Sequence, residues 1–156
     1  MIKVLDFEPQ FAVSLPETYR LITSSNLKVH PSVVRVILHG SRGLAGGHRP
    51  NSDIDLSLII DVPQTPDIES QLQDVLVTTL NHWRAAIEPD LAVIFDVRNC
   101  KLKCSEQTTW NEQICKIGGV DCFGLYKTQK GFNGLVINAG IQVKLMYPCL
   151  KIWQRC

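Results

Sequence analysis

No run of apolar residues in the chain approaches the roughly 18 to 20 needed to cross a bilayer, so no membrane-spanning helix is expected. The opening stretch from Met1 to Glu8 lacks the long apolar core of a secretion signal, and acids enter at Asp6. A cytoplasmic location is the expectation, with thiols kept reduced. Charge of one sign is also missing: 16 Lys and Arg against 15 Asp and Glu leave a formal net charge of +1. That argues against partner choice by a bulk basic field, as in non-specific DNA binding, and leaves room only for a local basic cleft. The tight paired knuckles of zinc ribbons are absent. Cys100-x3-Cys104 and Cys115-x6-Cys122 are too loosely spaced, so these four, with Cys149 and Cys156, are expected as thiols rather than zinc ligands. Neither an internal repeat nor a low-complexity linker divides the chain.

What is present is an ordinary globular mixture, 45% hydrophobic and 20% charged over 156 residues, enough for one domain with one core. Residues 1–156 are read as that single domain, with a core at about 15–97 and a C-terminal extension over 98–156. Ser14-Leu15-Pro16-Glu17 reads as a capping box, with Ser14 as N-cap of a helix over about 15–24 that buries Leu15, Tyr19 and Ile22. Val33 to Leu38 is short and β-branched, a buried strand. Asp53 to Ile60 is a second strand, with Asp53, Asp55 and Ser57 on one face. Thr65-Pro66-Asp67 opens a long helix with a stripe from Ile68 to Trp83, and Asp90 to Asp96 reads as a third strand. Beyond residue 98 the pattern weakens, with a candidate edge strand over Cys100–Cys104 and a last element over 143–153 interrupted at Pro148.

The chemistry concentrates between His39 and Leu56. Asp53 and Asp55 stand two residues apart on one strand, so both carboxylates face the same way and cannot be buried without compensation. Solvated strand ends are the bland account. A divalent cation is the sharper one, and oxygen-only ligands favour Mg2+ or Mn2+. A strand, a long helix and another strand describe a parallel crossover, which brings Asp90 to the same edge as Asp53 and Asp55. Asp96 shares their face but lies about 20 Å further along, and with Asp61 it is expected to end its strand in solvent. Gly40 and Ser41, in the turn before these acids, offer close backbone approach, an N–H and a hydroxyl to phosphate oxygens, aided by helix amides if a short helix follows Ser41. Arg42 and Arg49 suit phosphate charge or, equally, a structural ion pair. His39 and His48 flank the site. Lys127, Lys130 and Lys144 read as solvated surface lysines.

Gly40-Ser41-Arg42 followed by Arg49-Pro50-Asn51-Ser52-Asp53-Ile54-Asp55-Leu56 resembles the signature of the DNA polymerase β-like nucleotidyltransferase superfamily, and most closely its minimal nucleotidyltransferases. The likeness covers roughly residues 15–97, and His39 departs from it in a slot usually apolar or aromatic. It implies an α+β fold, a mixed β-sheet with helices packed on one face. It also implies transfer of a nucleoside monophosphate from a nucleoside triphosphate, usually ATP, to a hydroxyl acceptor, with release of pyrophosphate. Asp53 and Asp55 would hold two metal ions. Asp90 would bind the catalytic one and serve as base, with Gly40 and Ser41 as nucleotide-binding residues. The acceptor stays open, and a nucleic-acid end is disfavoured by the neutral charge. The competing expectation is a catalytically weak nucleotide-binding or antitoxin-like module that pairs with a small helical protein.

Overall fold

The structure is a computed structural model that describes residues 3–4, 6–95, 124–128, 134–136 and 147–155. In chain order these form β1 (Lys3–Val4), α1 (Pro9–Ser14), α2 (Pro16–Thr23), β2 (Lys28–Val29), β3 (Val33–His39), β4 (Ile54–Ile60), α3 (Ile68–His82), β5 (Pro89–Phe95), β6 (Gly124–Lys127), β7 (Gly134–Val136) and β8 (Leu150–Gln154). β1 and β2 make a small antiparallel ladder, and the rest build a six-stranded sheet in the order β7-β6-β5-β4-β3-β8. Only β4 and β5 run parallel; the other pairings in this sheet are antiparallel. The mixed α+β architecture expected from the sequence is therefore present.

Alternation along the strands decides which residues meet the helices. Val36 and Leu38 of β3, Leu56, Leu58 and Ile60 of β4, and Leu91, Val93 and Phe95 of β5 share one face. They pack there with Phe11 of α1, Ile22 of α2 and Ile68, Leu72, Val75 and Leu76 of α3. α3 follows its sequence pattern closely. Ile68, Leu72, Val75, Leu76 and Thr79 are buried at helical spacing, and the Thr79 hydroxyl donates to the Lys28 carbonyl at 2.8 Å. The centre of the other face is also out of solvent, with Ile37, Ile59 and Ile94 fully buried beside Ser57.

The N-terminal helix differs from the expected one. Ser14 ends α1 rather than capping α2, and its hydroxyl accepts from the Gln10 side chain at 2.5 Å. Leu15, in a non-helical conformation with φ −138° and ψ 65°, is the N-cap of α2 and Pro16 its first residue, with no side-chain cap. The reason is local: Pro16 lacks an N–H and disfavours helical geometry in the residue before it, so the chain breaks at Leu15 and restarts. At the C-terminal end, the described part of the element expected over 143–153 holds a strand, β8, that begins at Leu150 beyond Pro148 and pairs with β3, while residues 143–146 lie outside the described residues. The candidate strand at Cys100–Cys104 lies outside the described residues, as do Asp96, Lys130, Lys144 and every cysteine but Cys149, which is buried. No helix among the described residues is long and apolar enough to cross a membrane.

Candidate active site

Three neighbouring strands bring the site together by register. His39 at the end of β3 lies opposite Asp55 of β4, and Asp55 lies beside Asp90 of β5. Parity places all three on the sheet face away from the helices, continuing the rows of Ile37, Ser57 and Ala92. The parallel pairing of β4 and β5, joined through α3, is what delivers Asp90 to Asp55 from 35 residues away in sequence. Asp53 precedes β4, which begins at Ile54 rather than at Asp53 as expected, and its charge acts on Asp55. Asp61, at the far end of β4, is exposed.

The two central carboxylates are close enough to change each other. Burial, a hydrogen bond with Asp90 and the charges of Asp90 and Asp53 push the Asp55 carboxyl up from 3.8 to about 6, against the opposing pull of Lys127. Gly40 closes the site from the β3 side with φ +78°, a left-handed conformation that glycine adopts freely. A side chain there would overlap the Asp55 carboxylate, so the absence of a Cβ lets the turn sit directly on the acid. The Gly43 N–H donates to the Gly40 carbonyl at 3.0 Å, closing the turn. Residues 41–45 make turns and no helix, so the helix amides that would have added to a phosphate site at Ser41 are not provided; Ser41 itself is half-buried in that turn.

Arg42 has a different task from the phosphate contact considered above. Its side chain is buried, and Nε donates to the Ser52 carbonyl at 2.7 Å while Nη2 donates to those of Arg49 and Pro50 at 3.2 and 3.1 Å. Its own carbonyl accepts from the Thr18 hydroxyl at 2.7 Å. Arg42 is thus the internal brace of the loop leading to Asp53. Arg42→Met should lower stability by about 2 kcal/mol, because three loop carbonyls lose a charged donor, and Arg42→Lys should recover only part of it, since one ammonium cannot reproduce the planar fork; urea melts of the two variants check this. Arg49 is exposed, and its N–H donates to the Ser52 hydroxyl at 2.7 Å. His48 pins the same loop to Glu17 of α2 at 3.3 Å.

His39 is held neutral. Burial pulls it down from 6.5 to about 4, and its Nε2 pairs with the Ser57 hydroxyl at 2.9 Å. It thus packs beside the acids without adding positive charge at neutral pH.

The positive charge comes from Lys127, a residue read from sequence as a surface lysine. Its ammonium forms an ion pair with the Asp90 carboxylate, each side chain only 18% exposed. The alternation Gly124-Leu125-Tyr126-Lys127 carried a faint strand signal, but nothing in it told which strand would lie alongside.

The donor set suits a hard divalent ion. Asp55 and Asp90 present oxygens only, and their mutual repulsion is what a cation relieves. Mg2+ commonly takes one or two carboxylates and completes its shell with water and phosphate oxygens. Among the described residues no three acids, histidines or cysteines are gathered into a closed metal group; Asp53 acts on Asp55 through its charge. No protein-family model matches the chain, and no curated protein matches it.

Proposed function

We propose that the protein is a metal-dependent nucleotidyltransferase, moving a nucleoside monophosphate from a nucleoside triphosphate, ATP by resemblance, to a hydroxyl acceptor. The supporting observation is the lateral register of Asp55 and Asp90 with the Gly40 turn seated against Asp55. Asp55 and Asp90, with Asp53 beside them, would hold Mg2+ or Mn2+. The metal, when bound, supplies charge neutralisation for the triphosphate and the departing pyrophosphate. The Gly40–Ser41 turn offers the approach for the phosphate tail. The acceptor oxygen forms a bond to the α-phosphorus as the bond to pyrophosphate breaks, and the hydroxyl proton passes to the Asp90 carboxylate. Positioning and charge stabilisation account for most of the rate.

Incubation of the chain with α-labelled ATP, Mg2+ and a panel of hydroxyl acceptors tests this. Asp53→Ala and Asp55→Ala should abolish metal-dependent triphosphate binding and transfer while the fold survives. Asp90→Ala should reduce transfer by about 100-fold or more with a smaller effect on binding. Equal labelling by parent and variants overturns the assignment.

A second reading has one observation in its favour. The ion pair of Lys127 with Asp90 occupies the carboxylate that would act as base, as suits a catalytically weak nucleotide-binding module paired with a small helical protein. Metal-dependent ATP binding without pyrophosphate release by the isolated chain would select it.

A further inference from the structure

Asp90 is called on twice, as a metal ligand in the proposed function and as the partner of Lys127 in the structure. The second role follows from register. Tyr126 lies opposite Val93 in the antiparallel β5–β6 ladder, so Lys127 continues opposite Ala92, one pleat from Asp90 and on its face, within reach of a four-carbon stem. With each side chain 18% exposed, the pair is screened much less than a surface ion pair. Among the described residues, Lys127 is the cation whose charge opposes the mutual repulsion of Asp90 and Asp55. A lysine suits a reversible contact: it is a compact charge on a flexible stem and lacks the rigid fork by which arginine grips a carboxylate.

We propose that Lys127 is a displaceable internal cation, holding the Asp90 carboxylate in the metal-free protein and leaving it when a divalent ion binds at Asp55 and Asp90. This rests on the reading of those acids as metal ligands. It makes ammonium and metal alternative partners of one carboxylate, so metal loading is set by a competition within the chain.

Mn2+ titration followed by electron paramagnetic resonance, with no nucleotide present, tests it together with thermal melts with and without saturating Mn2+. Lys127→Met should bind Mn2+ about tenfold tighter, equivalent to 1.4 kcal/mol, yet melt below the parent in the absence of metal. Saturating Mn2+ should close that gap, because the ion supplies the missing charge and stabilises the tighter binder more. Lys127→Gln, which keeps a hydrogen-bond donor, should change both readouts in the same direction. Lys151→Met, which removes a positive charge paired with Glu8 at 3.8 Å, should shift Mn2+ affinity less than about twofold. Unchanged or weaker Mn2+ binding by Lys127→Met, or a melting deficit that Mn2+ leaves intact, overturns the proposal. If Mn2+ exchanges with Lys127 as described but labelled ATP is neither bound nor turned over, the transferase reading alone falls. If neither parent nor variants bind Mn2+, both fall.

Discussion

Gly40→Ala is expected to lose metal-dependent nucleotide binding and to unfold more easily by about 1 to 3 kcal/mol. Two effects coincide there. At φ +78° a β-carbon is strained whatever surrounds it, and at this position it would also overlap the Asp55 carboxylate. The glycine is thus required both by the turn and by the acid beneath it. Gly46→Ala separates the two, since Gly46 has φ +72° with nothing near its missing β-carbon. That variant should show only the conformational cost, about 1 kcal/mol, and bind triphosphate as the parent does. Urea melts and ATP titrations of both variants check the pair. Equal behaviour would mean that Gly40 matters to the turn alone and that its contact with Asp55 has no functional weight.

Asp55→Asn should inactivate the site and at the same time stabilise the metal-free protein at neutral pH. The Asp55 carboxyl is raised from 3.8 to about 6. Between those values the folded protein keeps a proton that the unfolded chain gives up, so stability from this group falls as pH rises through that window and stays low above it. Asparagine carries no charge and has an N–H to donate to Asp90, so the penalty is lifted; allowing for solvent and for Lys127, the gain at pH 7 is on the order of 1 to 2 kcal/mol. Below about pH 4 parent and variant should converge, because Asp55 is then protonated in both states.

His39 makes the difference between the two proteins more informative than the parent's own profile. Its value falls from 6.5 to about 4 on burial, so its contribution to stability rises with pH over nearly the window in which that of Asp55 falls. The parent's stability should therefore be nearly level between pH 4 and 6.5, while that of Asp55→Asn should climb. Urea melts at pH 4, 5.5 and 7 read both trends, and a difference that does not depend on pH would remove Asp55 from the electrostatics of the site.

An inactive but stabilised Asp55→Asn would mark Asp55 as the member of the cluster whose charge costs the fold stability. The cluster also shows what was legible beforehand. The Asp53-x-Asp55 spacing, the glycine at 40 and the helix from Ile68 are local patterns; the helix begins where it was expected, and the strand that carries Asp55 begins one residue later than expected, at Ile54. Asp90 was within reach of inference because a strand, a long helix and a strand leave few alternatives to a parallel crossover, and parallel strands start from the same edge. Arg42 was ambiguous for a different reason. An arginine beside a glycine turn looks the same in sequence whether it faces a phosphate or three backbone carbonyls, and only the folded loop shows the carbonyls. At Ser14 the cap signature was present, but the proline two residues later imposed its own boundary.

The chain's own order of residues determined the strands, the long helix, their buried faces and the proximity of two acids to a glycine turn, because these follow from periodicity and from short-range backbone preferences. Tertiary structure alone decided that Lys127 reaches Asp90, that Gly40 rests on Asp55 and that His39 lies uncharged beside them. Those contacts join residues from separate strands, and both their existence and their effect on charge depend on register and burial, which no stretch of sequence carries by itself.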